Sequence, residues 1–114
     1  MNAYHVSMRA IKQTFNDIRN IDKAFASIAM VTDMTVSELW GQYDDYAKIA
    51  NELGQSTESV IKSSALYYQQ GLNTAQALTL TKDTMKLATL ANIDFEQSTK
   101  LMTAALRAFH MELD

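Results

Sequence analysis

The stretch Gly54-Gln-Ser-Thr-Glu-Ser-Val-Ile-Lys-Ser-Ser-Ala-Leu-Tyr-Tyr-Gln-Gln-Gly-Leu72 is fenced by two glycines. A glycine adopts positive φ at little steric cost, so each can close a helix. Between them Ser56 carries an oxygen that can take a free backbone N–H and start a new helix over about 57–70. Val60, Ile61, Ala65, Leu66, Tyr67 and Tyr68 dominate that helix, and Glu58, Lys62 and Gln69 are its clearly polar long side chains. A helix that is apolar on more than one side is covered by neighbours. The expectation is a central helix that the flanking segments wrap.

The rest of the chain reads as helix too. It has 114 residues, no proline and only three glycines. A β-rich chain needs turn residues far more often. One domain of this length buries roughly two-thirds of its unfolded surface, enough for a core without staples. Apolar content of 47 % and charged content of 20 % argue against wholesale disorder. Cysteine is absent, which excludes disulfides and thiolate metal sites. Net charge is −3 with no basic run, so there is no footprint for capturing nucleic acid. No segment is apolar for the roughly 18 residues that a membrane span requires.

Residues 2–31 read as one long helix. Tyr4, Met8, Ile11, Phe15, Ile18, Ile21, Phe25 and Ile28 form its stripe, with a mean step of about 3.4 residues. That period is close to a coiled-coil seam. Thirty helical residues reach about 45 Å, more than a small bundle covers. The stripe is therefore a candidate helix-packing interface for a second chain, and self-association is expected.

Thr32 and Asp33 interrupt the pattern, and Thr35-Val-Ser-Glu38 makes a capping box. A second helix is expected over about 36–53, with Leu39, Trp40, Tyr43, Ala47, Ala50 and Leu53 on its apolar face. Asp44 and Lys48 are spaced for a helical ion pair. Gly41 inside it marks either a close approach of another backbone or nothing. After the central helix, Asn73 and Gln76 cap a helix over about 74–91, and Asp94 caps the last one. In that last helix Phe95, Met102, Ala105, Leu106 and Phe109 are the expected apolar face. The chain reaches Asp114 without a stop signal, which suggests a piece of a longer protein.

The expected architecture is all-α. A long, coiled-coil-like N-terminal helix occupies 1–33, and about four shorter helices occupy 34–114 as an antiparallel bundle, since their loops are short.

Chemistry is sparse. His5 and His110 lack the Glu-x-x-His or His-x-x-x-His spacing that puts two ligands on one helix face. Asp44-Asp45 are sequence neighbours, whereas carboxylates that exchange protons face each other across a cleft. Tyr67-Tyr68 lacks the basic groove of a base-stacking platform and reads as core, with hydroxyls reaching the surface. No catalytic, metal or cofactor residue is assigned, and the chain reads as a non-enzyme.

Several pieces then resemble a known family. They are Ala29-Met-Val-Thr-Asp33 with the following capping box, residues 47–54, Tyr67-Tyr-Gln-Gln-Gly-Leu72, Leu87-Ala-Thr-Leu-Ala-Asn-Ile-Asp94 and Thr103-Ala-Ala-Leu-Arg-Ala-Phe109. Together, in order and without large gaps over about residues 20–114, they resemble the core region of bacteriophage tail tape measure proteins. The resemblance implies a structural component of a phage or prophage tail. Such proteins are long, largely helical chains that fill the growing tail tube, set its length and leave through it. It implies a place in the virion tail and, during assembly, in the host bacterial cytoplasm. The resemblance does not say what this region touches; the expected partners are other copies of the chain, through the stripe, and tail tube or tail assembly proteins, with no specific nucleic acid and no membrane. Hydrolase domains occur elsewhere in some family members, and no such motif is present here. The other reading is a cytosolic adaptor that offers the 4–28 stripe to a partner helix.

Overall fold

A computed structural model describes the backbone of residues 8–113 and the side chains of residues 12–109. The elements are α1 (Met8–Ala29), α2 (Val36–Trp40), α3 (Tyr43–Leu53), α4 (Thr57–Gln69), α5 (Thr74–Ala91) and α6 (Phe95–Leu113). No strand occurs among the described residues, and the fold is all-α. Residues 2–7 of the expected long helix lie outside the described residues; its described part ends at Ala29.

Helix α4 is the central one. It packs against α1, α3, α5 and α6. Val60, Ile61, Ser63, Ser64, Ala65, Tyr67 and Tyr68 are all buried on it, which takes most of its circumference. Around it lie Phe25 and Ile28 of α1, Leu39 of α2, Ile49 and Ala50 of α3, and Ala77 and Met85 of α5. Each fully buried large side chain stabilises the fold by about 1.5–3 kcal/mol relative to its exposed state.

The helix starts follow local chemistry. Thr35 Oγ1 accepts the Glu38 N–H at 3.1 Å, and a Glu38 carboxylate oxygen accepts the Thr35 N–H at 3.3 Å. Asn73 and Gln76 repeat this reciprocal pair at 2.9 and 3.0 Å. Ser56 and Asp94 accept single N–H bonds from Ser59 and Gln97.

The stops share one geometry. Gly54, Gly71 and Asn92 have φ of 69°, 87° and 55°. The next residue in each case bonds back five positions: Gln55 N–H to Ala50, Leu72 N–H to Tyr67 and Ile93 N–H to Ala88. Each closure satisfies a carbonyl that the helix itself leaves free.

The expected single helix over 36–53 is broken in two. At Gly41 and Gln42 the backbone turns to ψ of −20° and 3°, and Gln42 N–H bonds to the carbonyl of Leu39 three residues back. Glycine holds a helix poorly, so the ladder gives way here. A Cβ at Gly41 would lie 3.1 Å from the Glu38 carbonyl oxygen, so the crowding comes from its own preceding turn and not from another element. The break sends the two halves to different neighbours: α2 lies on α1, and α3 lies on α4 and α5. Trp40 anchors the first half. Its indole N–H donates to Asp22 at 2.9 Å, and its ring meets Phe25 edge-on at 5.1 Å. The expected Asp44–Lys48 pair does not form; among the described residues the ion pair joins Lys62 and Glu58 at 3.1 Å.

The molecule is a slab of 64 × 34 × 19 Å with a radius of gyration of 16.0 Å. A chain of this length packed evenly would have a radius of about 13 Å. The excess reflects helices that extend past the common core.

Candidate helix-packing interface

The 4–28 stripe divides along its length. Ile21, Phe25 and Ile28 are buried in the core of their own chain. Phe15 and Ile18 are 64 % and 47 % exposed. Tyr4, Met8 and Ile11 lie outside the residues whose side chains are described.

The division follows position along the helix and not the face. Residues 12–19 are exposed all the way round α1, including Thr14 and Asp17, which share the face of Ile21 and Ile28, so this part of α1 runs past the core. Ile18 lies seven residues, about two turns, before the buried Phe25 on the same face. A partner can therefore meet Phe15 and Ile18, whereas Ile21, Phe25 and Ile28 are already covered.

Further apolar exposure lies at the ends of other helices. Met30 and Val31 follow α1, Leu90 ends α5, and Leu101 and Phe109 lie on α6. On α6 the expected face of Phe95, Met102 and Leu106 is only half-buried, while Ala105 and Phe109 are exposed. The residues of α6 that enter the core are Ser98 and Thr99.

Those two belong to a buried layer of hydroxyls. Ser63 and Thr99 are 3.1 Å apart, and Thr99 donates to the Phe95 carbonyl at 2.6 Å, so Ser63 is the donor between them. Tyr67 lies 2.5 Å from Thr84, which donates to the Leu80 carbonyl at 2.6 Å. Ser98 donates to the Thr84 carbonyl at 2.7 Å. Tyr46 and Ser64 are 3.4 Å apart. The Tyr67 hydroxyl thus turns inward to Thr84 and does not reach the surface. Burial pushes the Tyr46 hydroxyl up to about 12 and raises that of Tyr67 as well. Both phenols are held neutral and bonded, as structural groups are. Thr81 Oγ1 is buried and has no hydrogen-bond partner among the described residues.

The layer was not read from the sequence, where serine and threonine pass for surface residues. A usable signal was present: Ser63-Ser64, Thr81 with Thr84, and Ser98-Thr99 fall on the same faces as Val60, Met85 and Met102 at helical spacing.

Among the described residues no three His, Cys, Asp or Glu side chains are grouped to hold a metal ion, and no helix is long and apolar enough to cross a membrane. Asp44 and Asp45 are exposed. Comparison with family models, curated proteins and solved structures finds no match to this chain.

Proposed function

We propose that the chain is a structural segment of a phage or prophage tail, one piece of a tape measure protein that sets tail length during assembly. In this reading α1 is the end of a long N-terminal rod, and the helices after it form an antiparallel bundle. The segment works by helix packing, without catalysis or a cofactor, in the virion tail and earlier in the host cytoplasm. Its partners are further copies of itself, met through Phe15 and Ile18, and proteins of the tail tube or its assembly.

The observation that carries the proposal is the ordered set of sequence pieces, above all Tyr67-Tyr-Gln-Gln-Gly-Leu72 and Ala91-Asn-Ile-Asp94. Two further features support it. A ruler has to be extended, and this molecule is elongated along one axis. A chain that later leaves a narrow tube has to carry no covalent cross-link, and cysteine is absent.

The test is genetic and visual. Lengthening the helical part of the full gene in frame by about 40 residues should lengthen the tail by about 60 Å, at 1.5 Å per helical residue. Tails of unchanged length, or purified tails that lack the chain, would overturn the reading. The second outcome would return the chain to the adaptor role.

A further inference from the structure

A groove of about 750 Å³ runs between α1 and α6 with α4 as its floor. Its apolar surface comes from Ala65 and Leu66 on the floor, Ala24 on α1, and Phe95 and Ala104 on α6. The walls are basic. Lys23 stands on α1, Lys62 on α4, and Lys100 and Arg107 on α6. Four of the ten basic residues in the chain therefore line this groove, against Glu96 alone of its thirteen acidic ones. The excess of positive charge opposes the net charge of −3 of the whole protein. Lys62 is paired with Glu58, whereas Lys23, Lys100 and Arg107 make no ion pair among the described residues.

The geometry points to a docking site for an acidic amphipathic helix of a partner protein. An apolar groove between two helices takes the i, i+3, i+4, i+7 face of a third. Lys100 and Arg107 are two turns apart on one face of α6 and would meet carboxylates flanking that apolar face. Complementary charge of this kind steers encounter and fixes orientation.

The other occupants fit less well. A nucleic acid would use the cations but gain nothing from alanine and leucine, and Phe95 is the only aromatic lining residue, short of a stacking platform. A second copy of this chain could offer Phe15 and Ile18, but Lys12 and Arg19 flank them with Asp17 alone between, so that face carries no acidic excess to meet the cations of the groove. Its acidic helix, α3, already uses Tyr46, Ile49 and Ala50 in its own core. This inference rests on the groove alone and holds whether or not the chain belongs to a tail.

The probe is a fluorescein-labelled peptide of about 18 residues, five helical turns, with a leucine stripe flanked by glutamates. Two controls carry lysines for the glutamates, or serines for the leucines. Anisotropy titrations with the whole chain should give saturable binding of the acidic peptide and at least about tenfold weaker binding of each control, about 1.4 kcal/mol. The K100E/R107E variant should lose about tenfold in affinity for the acidic peptide and gain for the lysine peptide. K48E/K82E, two exposed cations outside the groove, should change neither. Lys100 and Arg107 are exposed, so melting of the variant reports whether folding is intact. Equal binding of the three peptides overturns the proposal, as does tighter binding of a single-stranded oligonucleotide. Self-association that displaces the peptide and vanishes in K100E/R107E assigns the groove to a second copy and also overturns it.

Discussion

The Tyr67–Thr84 contact offers a prediction in which removing the acceptor hydroxyl costs more than removing the donor. Thr84 spends its own proton on the Leu80 carbonyl, so the Tyr67 hydroxyl is the donor across the 2.5 Å gap. Both residues have no exposed surface. Thr84→Val keeps the branched shape but leaves a buried phenol with nothing to donate to, a penalty of about 2 kcal/mol. Tyr67→Phe leaves Thr84 still bonded to Leu80 and costs about 1 kcal/mol. In the double variant no group is stranded, so its cost returns to about 1 kcal/mol. The coupling between the two sites is then about 2 kcal/mol, well above what independent sites show. For a domain of this size each kcal/mol moves Tm by about 4 °C. Urea unfolding followed by circular dichroism and by Trp40 fluorescence gives the free energies directly. A Thr84→Val variant no less stable than Tyr67→Phe, or a double variant whose loss is the sum of the two, would refute the assigned proton direction.

Three further outcomes follow from other parts of the molecule. The Tyr46 hydroxyl titrates near 10.0 when unfolded and about 12 when folded, so the unfolded state releases its proton first and stability falls as pH rises from 10 to 12; Tyr46→Phe should show a shallower loss over that range in denaturant titrations. Gly71→Ala forces a side chain onto φ of 87° and should lower stability by about 1 kcal/mol, whereas Asn92→Gly at φ 55° should be neutral or slightly stabilising, both by thermal melting. Phe15→Glu with Ile18→Glu should leave Tm within a degree or two, because both side chains are exposed, and should abolish self-association in sedimentation velocity; a pair that dimerises like the parent would remove these residues from the interface.

Much of this fold was legible in the sequence because its signals are local. The caps at Thr35, Ser56, Asn73 and Asp94 and the stops at Gly54 and Gly71 each depend on residues within a few positions. The central place of α4 could be read from Val60, Ile61, Tyr67 and Tyr68, since no single face could hold them all. What escaped depends on partners far away in the chain. Ser63, Thr84 and Thr99 are polar in composition but buried in fact, because a carbonyl four residues back or a hydroxyl on another helix satisfies them. Gly41 lets the helix break, and the direction of the two halves goes with Trp40 reaching Asp22 and Phe25 of α1, contacts that no window around residue 41 contains. The stripe on α1 keeps Ile18 and Phe25 on one face; what parts its two ends is that residues 12–19 run past the other helices, which no period in the sequence reveals.

The buried hydroxyls also fix where each helix sits along its own axis. Alanine and leucine surfaces would pack almost as well after a slip of one turn, about 5.4 Å. A slip of α4 would carry Ser63 away from Thr99 and Tyr67 away from Thr84 together, and Ser98 on the Thr84 carbonyl holds α6 to α5 in the same way. The bundle thus has one longitudinal setting. Tension applied to one end of the chain has to break the Ser63–Thr99 and Tyr67–Thr84 bonds before α4 can glide past its neighbours.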